Sequence, residues 1–145
     1  MGGTPLKVSN DTYSHACGDA ILRQVAERLR GVTRAVDIDA RIGGEEFVGL
    51  LTDTDATAAR IAAERNRQSI AFRPFDGGAG CHRQWAVTVS IGVATAAAGE
   101  MDLTLDTLAE WRDRGLYAAK RQGRDCVLVA ESPAPATVQQ PYRAS

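Results

Sequence analysis

The stretch Arg41-Ile42-Gly43-Gly44-Glu45-Glu46-Phe47 is the part of the sequence that decides the fold. Its two glycines allow a left-handed or otherwise strained turn and expose backbone amides, so the turn can approach a phosphate closely. Alternating apolar residues precede it from Val36, and an extended apolar run continues to Leu51. The pattern predicts two strands joined by a tight hairpin. Taken alone, residues 43–47 favour an ordinary hairpin with two solvated acids.

Helical patterns lie on both sides of this hairpin. Apolar residues at three- and four-residue spacing predict an amphipathic helix from Gly18, with Asp19 placed to cap its first turn. The Ala-rich stretch from Ala56 to Phe72 predicts a second helix, with Asn66 on or near its apolar face. The residues expected to face the core in that helix are Ile61, Ala62 and Ile70.

The second half of the chain adds two strands and a helix. Regular alternation from Trp85 to Ala94 predicts a strand. Residues 105–122 predict a third helix stopped by Gly123, and residues 126–130 a short final strand. A β-α-β-β-α-β core with a mostly antiparallel sheet follows, of the α+β type, but its first strand is missing or degenerate at residues 1–9. The Pro-rich residues 132–145 predict a disordered tail.

Composition sets the limits of function. The chain has 145 residues, 44% apolar and 24% charged, which suits one globular domain. Lys plus Arg number 17 against 18 Asp plus Glu, so the net charge of -1 indicates neither nucleic-acid nor membrane binding. Without a signal peptide or a long apolar run, the domain is expected to be cytoplasmic. Three widely spaced cysteines indicate reduced thiols, with neither a disulfide framework nor a zinc site.

Four motifs in one order carry a family resemblance. Residues 10–19, NDTYSHACGD, are similar to an NDTYGHxxGD segment, with Ser14 in place of Gly. The hairpin reads GGEEF, residues 87–94 match a TxSIGVA strand, and residues 116–124 match LYxAKxxGR. Over Lys7 to Ala130 the chain therefore resembles the GGDEF domain of the diguanylate cyclase family, which has a nucleotide-cyclase-like fold.

The resemblance implies a reaction and its partners. Two domains would meet as a homodimer, each holding one GTP, and each 3′-hydroxyl would attack the other's α-phosphate to form cyclic di-GMP. Mg²⁺ or Mn²⁺ would assist, since hard oxygen ligands bind such ions beside triphosphates. An upstream sensory domain would supply the input signal.

The resemblance also implies roles for individual residues. Asn10 and Asp19 would bind the guanine edge. Glu45 would bind the metal, and Glu46 would assist the metal site or the approaching hydroxyl. The phosphates would be contacted by the amides of Gly43 and Gly44 and the side chains of Lys120 and Arg124. Taken alone, Lys120 and Arg124 fit a basic helix C-terminus favoured by the macrodipole, and Lys7 is a further phosphate-facing position.

A second group of residues concerns regulation. Arg34 and Asp37 form an RxxD pair, and five residues separate Asp37 from Gly43. An isolated RxxD pair is usually a surface ion pair of little energetic value. The resemblance implies an inhibitory cyclic di-GMP site at this spacing, completed by Arg65, since a planar guanidinium bonds bidentately and stacks on bases.

The start of the chain departs from the family pattern. Gly2 falls where the family has a metal-binding aspartate, so residues 1–5 are expected to be non-native or disordered and the GGDEF domain to span residues 6–131. The sequence reads as an N-terminally truncated domain with weak or no cyclase activity, because phosphoryl transfer depends on metal charge. By family the resemblance implies an enzyme, a diguanylate cyclase, and the alternatives are a cyclic di-GMP receptor or a dimerisation module.

Overall fold

The computed structural model describes residues 2–3, 15–81, 83–95 and 104–130. Its helices are α1 (His15–Val32), α2 (Ala56–Ala71) and α3 (Leu105–Arg121). Its strands are β1 (Gly2–Gly3), β2 (Ile38–Gly43), β3 (Glu46–Leu50), β4 (Phe75–Asp76), β5 (Gln84–Trp85), β6 (Val89–Ala94) and β7 (Val127–Ala130). No helix among the described residues is long and apolar enough to cross a membrane.

Five of the strands form one sheet in the order β2-β3-β1-β6-β7. The first three pairings are antiparallel, and β6 pairs with β7 in parallel after the crossover through α3. Strands β4 and β5 form a separate antiparallel pair. The α+β fold with a mostly antiparallel sheet is thereby confirmed.

The first strand is degenerate, and it occupies the centre of the sheet. Gly2 lies opposite Glu46 on one side and Ser90 on the other, and Gly3 lies opposite Val89. Strand pairing needs only backbone N–H and C=O groups, so two glycines can complete it without side chains. Of the two alternatives for the first strand, missing or degenerate, these two residues form the degenerate one. Residues 4–14 and 131–145 lie outside the described residues, so the domain limits stay predictions.

The main core lies between the sheet and the pair α1 and α2. Buried apolar side chains from α1, α2 and two strands of the sheet, β3 and β6, form one cluster with Phe75 and Trp85. The alternation of residues 87–93 is confirmed, since Val89 and Ile91 are buried in this cluster and Val87 and Val93 pack against it. Helix α3 covers the opposite face, where a β-carbon on Gly92 would overlap the backbone of Arg112 and Leu116.

Three local predictions are wrong. Ile61 is 62% exposed, because the buried face of α2 is formed by Ala59, Ala63 and Ile70; Asn66 is buried with them, as its position indicated.

Helix α1 begins at His15, which places Asp19 inside the helix and not at its cap. The strand predicted from Trp85 divides into β5 and β6, because residues 86–88 leave the ladder where β5 turns to pair with β4.

The cysteines also differ from expectation. Cys17 at the start of α1 and Cys81 in the β4–β5 loop form a disulfide, with their Cα atoms 6.3 Å apart. The prediction of reduced thiols is therefore wrong for this pair, since a separation of 64 residues in the sequence concealed their contact. Cys126 is a free thiol, and its sulfur contacts the carbonyl of Ala119 at 3.5 Å.

Candidate functional site

The hairpin at residues 43–46 has the tight geometry that its glycines predicted. Gly44 has φ +47, a left-handed conformation that favours glycine. The register of β2 and β3 shifts between Arg41 and Gly43, and the Nε of Arg41 donates to the Gly44 carbonyl at 2.8 Å. Both glycines are exposed, so a ligand can reach the backbone of this turn.

A groove runs between this hairpin and α3. Its volume is about 200 Å³. The hairpin contributes Ile42 and Glu46, and α3 contributes Lys120 from its last turn. The remaining lining residues, all on α3, are Arg112, Asp113, Leu116 and Tyr117. The hairpin–α3 groove thus brings together two of the predicted site residues, Glu46 and Lys120.

The strand register explains why Glu46 faces this groove. Residues directly opposite each other on antiparallel strands present their side chains on the same face of the sheet. Glu46, Gly2 and Ser90 form such a row across β3, β1 and β6. Two residues beyond Ser90, Gly92 lies against α3, so this is the face that α3 covers. Position 2 therefore lies beside the floor of the groove.

Two groove residues were not expected from the sequence. Arg112 donates to Asp113 through Nε at 2.9 Å and Nη2 at 2.7 Å, and both residues line the groove. The signal was present, because Arg112, Leu116 and Lys120 are four residues apart and share one face of a helix.

The other residues expected to bind the nucleotide or the metal either do not line this groove or lie outside the described residues. Glu45 is half-buried in the hairpin turn. Asp19 is exposed on α1, and its carbonyl accepts from the Nε of Arg23 at 3.3 Å. Arg124 is exposed on the turn after α3, with φ +67. Asn10 and Lys7 lie outside the described residues.

The metal-ligand set is incomplete where the structure describes the chain. In those ranges no three His, Cys, Asp or Glu side chains come close enough to hold an ion. Glu45 and Glu46 are the acids of the hairpin, and a glycine stands opposite Glu46 at position 2. Two Mg²⁺ ions beside a triphosphate need more carboxylate oxygen than this. The described residues do not fit a two-metal site.

The Arg34–Asp37 pair is ordered and partly buried. Arg34 donates to the Asp37 carboxylate through Nε at 2.8 Å and Nη2 at 3.1 Å, and to the Thr54 hydroxyl at 2.7 Å. The backbone N–H of Thr52 also donates to that carboxylate, at 3.3 Å. The Asp37 side chain is 2% exposed, against 50% for Arg34. The bond from Arg34 lowers the pKa of Asp37 and raises the pKa of Arg34.

Arg65 lies elsewhere on the surface. It lines a depression of about 370 Å³ between α2 and β7. Its neighbours there are Arg60, Ile61, Glu64, Gln68 and Val127. The structure therefore brings Arg34 and Asp37 together and places Arg65 in a different hollow, so a three-residue site stays a prediction.

A sheet with this strand order, a two-glycine acidic hairpin and a basic helix end define a nucleotide-cyclase-like domain. The sequence profile of the family described as diguanylate cyclase, GGDEF domain, matches residues 4–126. The response regulator PleD of Caulobacter vibrioides is 43% identical over 138 residues, covering 88% of this chain and 30% of that protein. The chain belongs to the GGDEF family. It spans about a third of the length of the curated relatives it matches.

Solved structures agree with this assignment. The active GGEEF domain of a diguanylate cyclase from Vibrio cholerae superposes with a TM-score of 0.77 at 28% identity, covering 91% of this chain and 80% of that one. The GGDEF domain of DgcB from Caulobacter crescentus, in complex with c-di-GMP, gives a TM-score of 0.75 at 34% identity, covering 85% and 68%. The first of these shares the Glu form of the hairpin motif.

Proposed function

We propose that this chain is a GGDEF domain of cyclic di-GMP signalling that binds GTP along the hairpin–α3 groove and has little or no cyclase activity of its own. The observation that carries the proposal is the placement of Glu46 and Lys120 on opposite walls of one groove. A lysine on a helix end offers a positive charge for phosphate, and the exposed backbone of Gly44 leaves room for it. Asp19 and Asn10 would read the guanine base.

The weak activity follows from position 2. Condensing two GTP molecules requires a homodimer and divalent metal, Mg²⁺ or Mn²⁺, to offset the charge that develops on the transferred phosphate. With glycine opposite Glu46, position 2 supplies no carboxylate beside that acid. Substrate binding by Lys120 and the hairpin backbone does not depend on that partner, so binding and turnover separate in this chain.

Calorimetry and product analysis test the proposal together. GTP should bind the purified chain, and Lys120→Ala should weaken binding by about tenfold through loss of a charged contact. Arg114→Ala is the matched control, since Arg114 is an exposed cation on α3 that does not line the groove. Prolonged incubation with GTP and Mg²⁺ should give little or no cyclic di-GMP. Absence of GTP binding, or rapid turnover, would contradict the proposal.

A second candidate function is a cyclic di-GMP receptor, and the Arg34–Asp37 pair favours it. Asp37 accepts two hydrogen bonds from the Arg34 guanidinium and one from the N–H of Thr52, and the Arg34 side chain held in this orientation is 50% exposed. Fixing a guanidinium in advance lowers the entropy cost of binding a base or phosphate. The inhibitory role expected for Arg34 and Asp37 uses the same geometry, and the contribution expected of Arg65 rests on the family resemblance alone.

Titration with cyclic di-GMP distinguishes the receptor from the remaining alternative. Arg34→Ala and Arg65→Ala should each weaken binding, whereas Arg30→Ala, an exposed arginine in the last turn of α1, should not. If Arg34→Ala binds cyclic di-GMP as tightly as the unaltered chain, the receptor function is excluded. A purely structural dimerisation module predicts that the chain binds neither GTP nor cyclic di-GMP.

A further inference from the structure

The turn that follows α3 has an unusual backbone. Gly123, Arg124 and Asp125 have φ of +104, +67 and +49 in succession. Glycine adopts this region freely and aspartate tolerates it, but an arginine there is strained. Such a conformation persists only where the surrounding structure holds it. Arg124 is also the arginine expected to contact phosphate, so what holds this turn bears on the site.

Backbone contacts fix the two ends of the turn. The N–H of Gln122 donates to Ala118 at 3.0 Å and that of Arg124 to Ala119 at 3.2 Å, which closes the C-terminus of α3. At the other end, the carbonyl of Cys126 accepts from Ile91 at 3.0 Å. Between these ends, a side-chain contact holds Asp125 from outside the turn.

That contact comes from Arg67 on α2. Its Nη1 donates to Asp125 Oδ1 at 2.6 Å, across 58 residues of sequence. Its Nε and Nη2 donate to the Glu64 carboxylate at 3.0 Å and 2.7 Å. The Arg67 side chain is 19% exposed, so the ion pairs are partly shielded from water. Glu64 thus orients the guanidinium while its remaining edge holds Asp125.

We infer that Arg67 is a positioning residue for the phosphate end of the proposed GTP groove. By holding Asp125, it keeps the 123–125 turn in its left-handed conformation and thereby sets the direction of Arg124, one turn beyond Lys120. The inference rests on the proposed function, because it assigns Arg67 to the site through Arg124. Arg67 itself need not touch the nucleotide.

A merely structural role for the same ion pair makes a different prediction. Loss of a merely structural contact lowers the free energy of unfolding and weakens the binding of every nucleotide to the same extent. Loss of positioning acts on the β- and γ-phosphates, which GTP has and GMP lacks. The ratio of GTP to GMP affinity therefore separates the two roles.

The test measures GTP and GMP binding by calorimetry in the full chain. Arg67→Ala should lower GTP affinity about tenfold and leave GMP affinity unchanged, as should Arg124→Ala. Asp125→Ala should lower GTP affinity as much as Arg67→Ala does. A variant that combines the two substitutions should bind GTP no more weakly than either alone, because both remove the same contact. Asp125→Asn, which tolerates positive φ, should fall between Asp125→Ala and the unaltered chain. Arg60→Ala, an exposed arginine on α2, is the matched control and should change neither affinity.

The outcomes separate this inference from the proposed function. If the unaltered chain binds no GTP, both are overturned. If it binds GTP and Arg124→Ala reduces the ratio while Arg67→Ala and Asp125→Ala do not, the inference fails and the GTP groove stands. Equal loss of GTP and GMP binding in Arg67→Ala would also overturn it, as a sign of structural damage. Asp125→Asn keeps the test decisive if Arg67→Ala fails to fold.

Discussion

At the residue scale, Asp37 combines near-complete burial with a charged partner. Its folded-state pKa is lowered by the hydrogen bond from Arg34, relative to the ordinary value of 3.8. The ionised carboxylate therefore contributes stability that is fully present above about pH 3.8 and is lost as the pH falls through the lowered folded-state pKa. Urea unfolding of the chain and of Asp37→Asn should show this as a difference in free energy of unfolding.

That difference should be constant from pH 7 to pH 5 and should shrink in more acidic buffers. Titration of the other carboxylates is common to both proteins and cancels in the comparison. A difference that stays constant down to pH 3 would show that the Arg34–Asp37 bond does not stabilise the folded state through ionisation of Asp37.

Gly2 falls at the position where the family resemblance implies a metal-binding aspartate. An aspartate there would place a carboxylate on the same face as Glu46, since the two positions are opposite each other. Gly2→Asp should therefore tighten Mn²⁺ binding by about tenfold or more, because affinity for hard cations rises with the number of charged oxygen ligands. Calorimetry with Mn²⁺ measures this.

Gly2→Asn is the matched control, with the same size and no charge. It should bind Mn²⁺ as weakly as the unaltered chain. Equal affinity in the Asp and Asn variants would mean that position 2 contributes nothing to metal binding. A gain in cyclic di-GMP formation specific to Gly2→Asp would connect the missing carboxylate to the missing activity.

At the scale of elements, the sequence predicts best where one signal dominates. The hairpin at Gly43 and Gly44, the end of α3 before Gly123 and the alternation around Ile91 all follow from local rules, and the structure confirms them. Ile61 was misplaced because a helix rich in small residues offers two faces of similar hydrophobicity. Alanines pack more closely against the core, which leaves Ile61 outside.

Contacts between distant segments account for the other differences. The strand from Trp85 divides because β5 pairs with β4, whose Phe75 is fully buried, and nothing local to residues 86–88 indicates this. The Arg67–Asp125 pair likewise depends on the contact between α2 and the turn after α3, and the position of Arg112 in the groove depends on how α3 packs beside the hairpin. The local sequence does not indicate which distant residues pair, whereas the geometry of the hairpin is set by the two glycines within it.

The meeting of α3 with β6 gives a prediction at this scale. Gly92 touches the backbone of Arg112 and Leu116, so a methyl group has no room there. Gly92→Ala should lower the free energy of unfolding by about 1–3 kcal/mol through overpacking, and should move α3 away from the hairpin. Thermal or urea unfolding measures the first effect, and weaker GTP binding reports the second.

Gly31→Ala provides the control for Gly92→Ala. Gly31 lies in the last turn of α1 with open space around its α-carbon, so an added methyl group meets nothing. This change should be neutral or stabilise the chain by up to about 1 kcal/mol, because alanine favours helix over glycine. If Gly92→Ala is equally well tolerated, close packing of α3 on β6 does not constrain the groove.

At the scale of the whole molecule, the sheet order explains why a chain with so little first strand can keep its groove. The hairpin strand β3 and the strand β6 that carries α3 lie on opposite sides of β1, where Gly2 pairs with both strands and Gly3 pairs with β6. Backbone pairing across β1 and the packing of α3 on β6 therefore together set the distance between Glu46 and Lys120. At position 2 the fold needs only the backbone pairing of the residue, whereas metal binding would need a carboxylate side chain.

The Cys17–Cys81 disulfide joins the start of α1 to the β4–β5 loop and constrains the unfolded chain as a whole. For a separation of 64 residues, the loss of chain entropy in the unfolded state corresponds to about 4 kcal/mol of stability. Reduction with dithiothreitol should therefore lower the urea midpoint of the oxidised protein, and Cys17→Ser should lower it to the same extent without reductant. Cys126→Ser, at the free thiol, should leave the response to reductant intact. A midpoint that is unaffected by reductant would show that the paired sulfurs contribute packing and no crosslink, and Cys17 would then stabilise α1 only as a buried apolar side chain.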